Sequence, residues 1–222
     1  MSEYQKDIFA VPLLVGRTNN LDICKRIEEL AQKYRQEAKE ARLVSDDWME
    51  EKRSSNPEDI NRSGVTSYRT KSLIEDPEWA DIAAFMYDFA NEMINSVNPD
   101  KDKDKMLIAD MWTTVYPKGA YIPEHTHANS LLSAVFYAKA DEGCGDIEFR
   151  DPSFICKTMI LRGIGKFPSF NTRYKEKPEI GKMLIFPSWL PHCTHPNEMD
   201  SDRIIISFNI DFGDADKYKE PK

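Results

Sequence analysis

Apolar residues recur at helical spacing in the first half of the chain and at strand spacing in most of the second. The change falls at a charged turn, Asn98-Pro-Asp-Lys-Asp-Lys-Asp-Lys105, which is expected to be solvent-exposed. Near the N-terminus, Asp7-Ile-Phe-Ala-Val-Pro-Leu-Leu-Val-Gly16 is an apolar run of strand length, and Pro12 places it at an edge or a bend. Ile23, Ile27, Leu30, Ala31 and Tyr34 then predict a helix that Asn19 or Asn20 can cap. Its other face, Lys25, Glu28, Glu29, Lys33, Arg35 and Glu37, is expected to be solvated. The stretch 45–69 is polar and irregular and is expected to be loop. Asp76-Pro77-Glu78 opens a second helix with an N-cap, a preorganised first turn and a negative charge at the positive end of the dipole. Trp79, Ile82, Phe85, Met86, Phe89, Met93 and Val97 form an apolar stripe along it that is expected to pack into the core.

Past the charged turn, Met106–Tyr116, Tyr121–His127, Leu131–Ala138, Gly145–Phe149, Met183–Phe186 and Ile204–Ile210 read as strands punctuated by Gly, Pro and Asn. No strand alternates with a long helix, which argues against a parallel doubly wound sheet. The expected fold is mainly β with flanking α-helices, an antiparallel sandwich or jelly roll with the helices packed outside it. A single domain over 1–222 is expected, in which 1–105 supply an N-terminal strand and supporting helices to a β core at 106–212. The stretch 151–182 reads as a functional lid, a pair of short strands or a solvated loop. Its basic members, Lys157, Arg162, Lys166, Arg173 and Lys175, can meet an anionic substrate.

Composition narrows the classes. A chain of 222 residues with 41% hydrophobic and 11% aromatic content can fill a sizeable core. A net charge of -8 and a pI near 5.1 argue against a general nucleic-acid surface. No apolar run reaches 18 residues and the first residues lack the apolar core of a signal peptide, so a cytoplasmic protein with no membrane partner is expected. Cys24, Cys144, Cys156 and Cys193 form no C-x-x-C pair, and most read as reduced, structural thiols.

Candidate chemistry gathers on the histidines. His125 and His127, at i and i+2 on extended backbone, point to one face. The other two, His192 and His195, follow the strand-like run Gly181-Lys-Met-Leu-Ile-Phe-Pro-Ser-Trp-Leu190. Bringing His192 back beside the first pair gives three facial ligands with open positions. With no cysteine pair nearby, structural zinc is disfavoured, and such imidazoles suit iron, copper or catalytic zinc. Alternation also puts Arg203, Ile205, Ser207 and Asn209 on one face of the last strand. A guanidinium on the inner face of an apolar strand needs an anionic partner. A keto acid carboxylate held bidentately satisfies it, and a structural ion pair to Asp or an exposed strand start are the alternatives.

Tyr116-x-x-Gly119, His125-x-His127, Gly145-Asp-Ile-Glu-Phe149, Gly181-Lys-Met-Leu-Ile-Phe-Pro187, His192 and Arg203-x-x-x-Ser207 resemble, in that order, the iron(II)- and 2-oxoglutarate-dependent oxygenases. More narrowly, His-Thr-His-Ala-Asn-Ser-Leu-Leu-Ser-Ala-Val-Phe-Tyr137, Phe-Arg-Asp-Pro152, Phe-Pro-Ser-Trp-Leu-Pro-His192 and Arg-Ile-Ile-Ile-Ser-Phe-Asn209 resemble a family of that class found in bacteria and phages. The resemblance covers residues 106–212 and implies a double-stranded β-helix, the cupin-like jelly roll. It implies Fe(II), 2-oxoglutarate and O2 as cofactors, with His125 and His192 as metal ligands and Arg203, assisted by Ser207, on the distal carboxylate of 2-oxoglutarate. Thr114 and Tyr116 share a strand face aimed at the same pocket and are assigned as hydrogen-bond donors to the cosubstrate, with Trp112 as wall. Position 127 is His where most of the superfamily carries Asp or Glu. Either His127 completes an all-histidine site, the favoured reading, or water or a carboxylate such as Glu124 or Asp146 takes the third place. His195 is the rival of His192 and is expected in a second layer or at the surface, and Cys193 is expected to face away.

The activity implied is hydroxylation of an unidentified substrate with release of succinate and CO2. A ligand at position 127 argues for hydroxylation over halogenation, which needs that place for halide. A cupin-like dioxygenase or isomerase that does not use 2-oxoglutarate, and a non-catalytic jelly-roll binding protein, remain alternatives at this level. The N-terminal edge strand can pair between chains into a homo-oligomer or be capped.

Overall fold

Asn20 accepts a hydrogen bond from the Ile23 amide at 3.2 Å and so caps the first helix, α1 (Leu21–Glu40). Asp76 does the same for the Glu78 amide at 3.0 Å, and a 3-10 turn at Pro77–Trp79 leads into α2 (Ala80–Val97). The computed structural model in which these caps appear describes residues 10–40, 64–68, 72–97, 106–154 and 172–213. In chain order its strands are β1 (Leu14–Arg17), β2 (Val65–Thr66), β3 (Met106–Tyr116), β4 (Leu132–Lys139), β5 (Ile147–Arg150), β6 (Arg173–Glu176), β7 (Lys182–Pro187), β8 (His192–Thr194) and β9 (Arg203–Phe212).

Two antiparallel sheets result. The larger runs β1-β7-β4-β9-β3-β2 and the smaller β6-β5-β8. Strand alternation assigns each face its task. On β9, Ile204, Ile206, Phe208 and Ile210 are fully buried in a core shared with Cys24, Ile27 and Leu30 of α1 and Ile82, Met86 and Met93 of α2. Each such burial contributes about 1.5–3 kcal/mol. The opposite face carries Ile205 into a second cluster with Tyr116, Val135, Tyr137, Leu184 and Phe186, and with Ile147 and Phe149 of the small sheet. The helices therefore back the large sheet, and the space between the sheets is left for Arg203, Ser207 and Asn209. This is the double-stranded β-helix expected from the sequence.

Several expectations change. Tyr121–His127 is not a strand: it carries one isolated bridge, His125 to His192, and Pro123, which has no amide hydrogen to donate, interrupts any ladder. Within the irregular stretch 45–69, Val65 and Thr66 pair with Val115 and Thr114, while 45–63 and 69 lie outside the described residues. Within 151–182, β6 pairs with β5, and 155–171, with Lys157, Arg162 and Lys166, lie outside the described residues, as does the charged turn 98–105. Arg173 and Lys175 both pair with Glu148, Lys175 at 3.6 Å. Val97, at the last turn of α2, leaves the apolar stripe and is 60% exposed. β1 forms one edge of the large sheet but is shorter than the expected run, starting at Leu14 after Pro12, while 7–9 lie outside the described residues.

Candidate metal centre

His125 lies opposite His192 because the two exchange backbone hydrogen bonds, 2.9 Å from the His125 amide and 3.0 Å from the His192 amide. The His127 amide donates to the Ser188 carbonyl at 2.9 Å, so the segment stays extended against β8 and the end of β7. Extended backbone keeps the i, i+2 relation, and His125, His127 and His192 converge, with one ring nitrogen from each within 4.8 Å of the others. Ring centroids are 4.3 Å apart for His125–His192 and 5.2 Å for each of the other two pairs.

The hydrogen bonds select the tautomer. Nδ1 of His125 donates to the Pro123 carbonyl at 2.9 Å, Nδ1 of His192 to the Leu190 carbonyl at 2.8 Å, and Nδ1 of His127 to Oδ1 of Asn209 at 2.8 Å. An oxygen that only accepts places the proton on Nδ1 and leaves each Nε2 lone pair free, as a metal ligand requires. Burial, followed by the charges of His125 and His127, holds the His192 pKa down to about 3, and burial also lowers that of His125. Both rings are then neutral at pH 7, the form that binds a metal. Three imidazole nitrogens on one side of a site fit Fe(II) with open positions for other ligands.

Arg203 is 1% exposed, and its guanidinium is held from one side only. Nη1 donates to the carbonyls of Cys144 (2.6 Å), Gly145 (2.7 Å) and His195 (3.3 Å), and the guanidinium carbon sits 4.4 Å over the Tyr116 ring. Nη2 is buried with no partner. Among the described residues no carboxylate pairs with Arg203, so the structural ion pair is absent. An uncompensated buried cation is costly, and the free Nη2 is a place for an anion. Gly145 makes the cradle feasible: its φ is +91°, and a Cβ there would lie 2.3 Å from the His195 carbonyl oxygen and 2.5 Å from that of Pro196.

Thr114 and Tyr116 lie on the inward face of β3, as expected. The Thr114 hydroxyl bonds that of Thr66 at 3.0 Å and also reaches the Tyr116 phenol. Burial pushes the Tyr116 phenol up to about 12, so it stays protonated. Ser207 is buried and lies across from Trp112 and Val135. Trp112 is wall, its ring 5.7 Å from that of His127. His195 stands apart from the three-histidine cluster and bonds Oε2 of Glu148 at 3.1 Å. Glu124 pairs with Arg150, and neither it nor Asp146 joins the cluster. Cys193 pairs in register with Glu148, on the side away from His192.

Two features lie beyond the sequence reading. Tyr137 is buried near Arg203, its phenol pushed up by burial and drawn back by the guanidinium; its i, i+2, i+4 phase with Ser133 and Val135 on β4 was the available signal. Asn209 and Ser133 reach His127 from 82 and 6 residues away, contacts for which the sequence carried no signal beyond strand phase.

Residues 110–209 match a family model described as "Putative 2OG-Fe(II) oxygenase", so the resemblance drawn from the motifs holds, and that family implies Fe(II), 2-oxoglutarate and O2. No curated protein matches the chain. Among solved structures, it is similar to AviO1 from Streptomyces viridochromogenes Tue57, with 15% identity, 96% of this chain and 92% of that one covered, and a TM-score of 0.54. It is also similar to a Pseudomonas putida prolyl-4-hydroxylase, with 13% identity, 90% and 86% covered, and a TM-score of 0.51. Against a Burkholderia pseudomallei oxidoreductase of the 2OG-Fe(II) oxygenase family, with 12% identity and a TM-score of 0.41, 62% of this chain aligns with 54% of that one. At these identities the likeness is one of fold. Among the described residues no helix is long and apolar enough to cross a membrane.

Proposed function

We propose that this chain, whose residues 110–209 match the 2OG-Fe(II) oxygenase model, is a 2-oxoglutarate-dependent hydroxylase with His125, His127 and His192 as its iron ligands. The observation that carries the reading is the conjunction of the three-histidine cluster with a buried guanidinium: His127 is bonded by Asn209, which shares a face of β9 with Arg203. One ring nitrogen from each histidine lies within 4.8 Å of the others, and Arg203 offers a buried, unpartnered Nη2. Iron and a dicarboxylate would complete both.

When bound, Fe(II) with 2-oxoglutarate and O2 supplies oxidative decarboxylation to succinate and CO2, with the second oxygen atom entering a substrate C–H bond. The chain's own residues bind and orient. Arg203 binds the distal carboxylate through Nη2, its direction set by the three carbonyls behind Nη1 and by the Tyr116 ring. Ser207 offers a further hydroxyl on the same strand face, and Thr114, Tyr116 and Tyr137 keep the pocket wall polar but uncharged. Phe149 and Phe186 pack beside His192 and help to bury its ring. The Nδ1 acceptors keep each imidazole in the binding tautomer.

The test is conversion of 2-oxoglutarate to succinate by iron-loaded protein, followed by NMR in the presence and absence of O2. Succinate formed only with O2, and lost in His125→Ala and Arg203→Met, supports the reading. Succinate formation that survives Arg203→Met contradicts the assigned anchor.

A further inference from the structure

We propose that Asn209, backed by Ser133 and Ser188, is a positioning residue whose task is to hold His127 as the third metal ligand. The inference rests on the reading of the three histidines as an iron site. His125 and His192 are each oriented by a backbone carbonyl two residues earlier in the chain, Pro123 and Leu190. His127 has no such local support and is oriented by side chains from other strands. It is also the position at which most of the superfamily that the motifs resemble carries Asp or Glu.

The geometry is a closed chain of donors and acceptors. Oδ1 of Asn209 accepts from Nδ1 of His127 at 2.8 Å and from the Ser133 hydroxyl at 3.0 Å. The Ser133 oxygen lies 2.8 Å from that of Ser188 and 3.0 Å from Nδ1 of His127. With the Ser188 proton on Ser133 and the Ser133 proton on Asn209, every hydroxyl has an acceptor and Nδ1 keeps its own proton. Nε2 of His127 is then left with the lone pair that a metal would take. Ser133 and Ser188 are fully buried and Asn209 is 9% exposed, so no water competes freely for these bonds. Ser133 and Asn209 are direct partners in the β4–β9 register, which fixes their separation by the sheet itself. Trp112 stands 5.7 Å from the His127 ring and confines it from another side.

A network serving only to satisfy buried hydroxyls would affect stability and nothing else. A positioning network also affects the metal. Cobalt(II) separates the two roles, because its visible bands report ligand number and geometry. Metal-free wild type, Asn209→Leu, Asn209→Asp, Ser133→Ala and His127→Ala are titrated with cobalt(II) alone, and their melting temperatures are recorded. The expected result is a loss of cobalt(II) affinity of about 10–100-fold in Asn209→Leu, with bands moving toward those of His127→Ala. Asn209→Asp, which retains an acceptor oxygen, keeps tight binding and the wild-type bands. Should Asn209→Leu fail to fold, Ser133→Ala carries the test, with weaker binding and a shift of the bands in the same direction. Unchanged affinity and bands in folded Asn209→Leu and Ser133→Ala, with only a lowered melting temperature, would overturn the inference. Identical bands in wild type and His127→Ala would instead remove His127 from the metal site and so contradict the three-histidine reading itself.

Discussion

Arg203 is the residue on which the cosubstrate assignment turns. Its guanidinium is buried, neutralised by no described carboxylate and anchored by backbone carbonyls through one nitrogen, leaving the other for a ligand. Removing one partner of a buried, hydrogen-bonded charge pair costs about 2–5 kcal/mol. Arg203→Met is therefore expected to weaken 2-oxoglutarate binding by a factor corresponding to that range, measured by calorimetry on protein loaded with a redox-inert metal. Arg203→Lys is expected to rescue little, because a single ammonium cannot both fill the three-carbonyl cradle and reach the carboxylate. His192 makes a different prediction for the metal-free protein. Its folded pKa is held down to about 3, against an ordinary value near 6.5. Between those values the unfolded chain binds a proton that the folded chain does not, so stability is full above about pH 6.5 and falls as pH drops toward 3. Urea midpoints between pH 7 and 4 should decline more steeply for wild type than for His192→Gln.

Elements deliver these residues, and the closest tolerance in the delivery is at Gly145. There the turn before β5 runs against the carbonyls of His195 and Pro196, and the same turn presents the Cys144 and Gly145 carbonyls to Arg203. Gly145→Ala puts a Cβ into space already occupied, at a positive φ that alone costs about 1–3 kcal/mol. The expected outcome is a lower unfolding free energy by at least that amount, together with weaker 2-oxoglutarate binding; a variant as stable as wild type would contradict the close approach. Much of this level was legible in the sequence. Asp76 and Asn20 announced their helices, and the alternation of β9 correctly sent Arg203, Ser207 and Asn209 to one face and the isoleucines to the other. The shortfalls have physical causes. β2 is only two residues long and β6 is short and polar, and they exist because an exposed edge of β3 or β5 pairs with them, a tertiary effect that local pattern does not encode. The segment 121–127 alternates like a strand but has Pro123 in it and only one bridge to hold it. The Asn209–His127 bond joins positions 82 residues apart and needed the sheet register to be seen.

At the scale of the molecule, the two helices and the large sheet form one apolar mass, and the small sheet closes over its inner face. The proposed metal centre sits where the two sheets meet, with His125 and His192 bridging at the edge of the small sheet and His127 tied to the large one through Asn209 and Ser133. Metal bound there would link both sheets. At a metal concentration 100 times the dissociation constant the folded state gains about 2.7 kcal/mol, which should appear as a raised melting temperature in wild type and no shift in His125→Ala. The most direct measurement of the central claim is an anaerobic titration of metal-free protein with Fe(II) and then 2-oxoglutarate, watching the visible charge-transfer band of an iron-chelated keto acid. The account predicts a band that requires both additions, that disappears in His125→Ala and that in Arg203→Met needs far more 2-oxoglutarate to form. Iron binding without a band at saturating 2-oxoglutarate, or a band equally strong in His125→Ala, would contradict it.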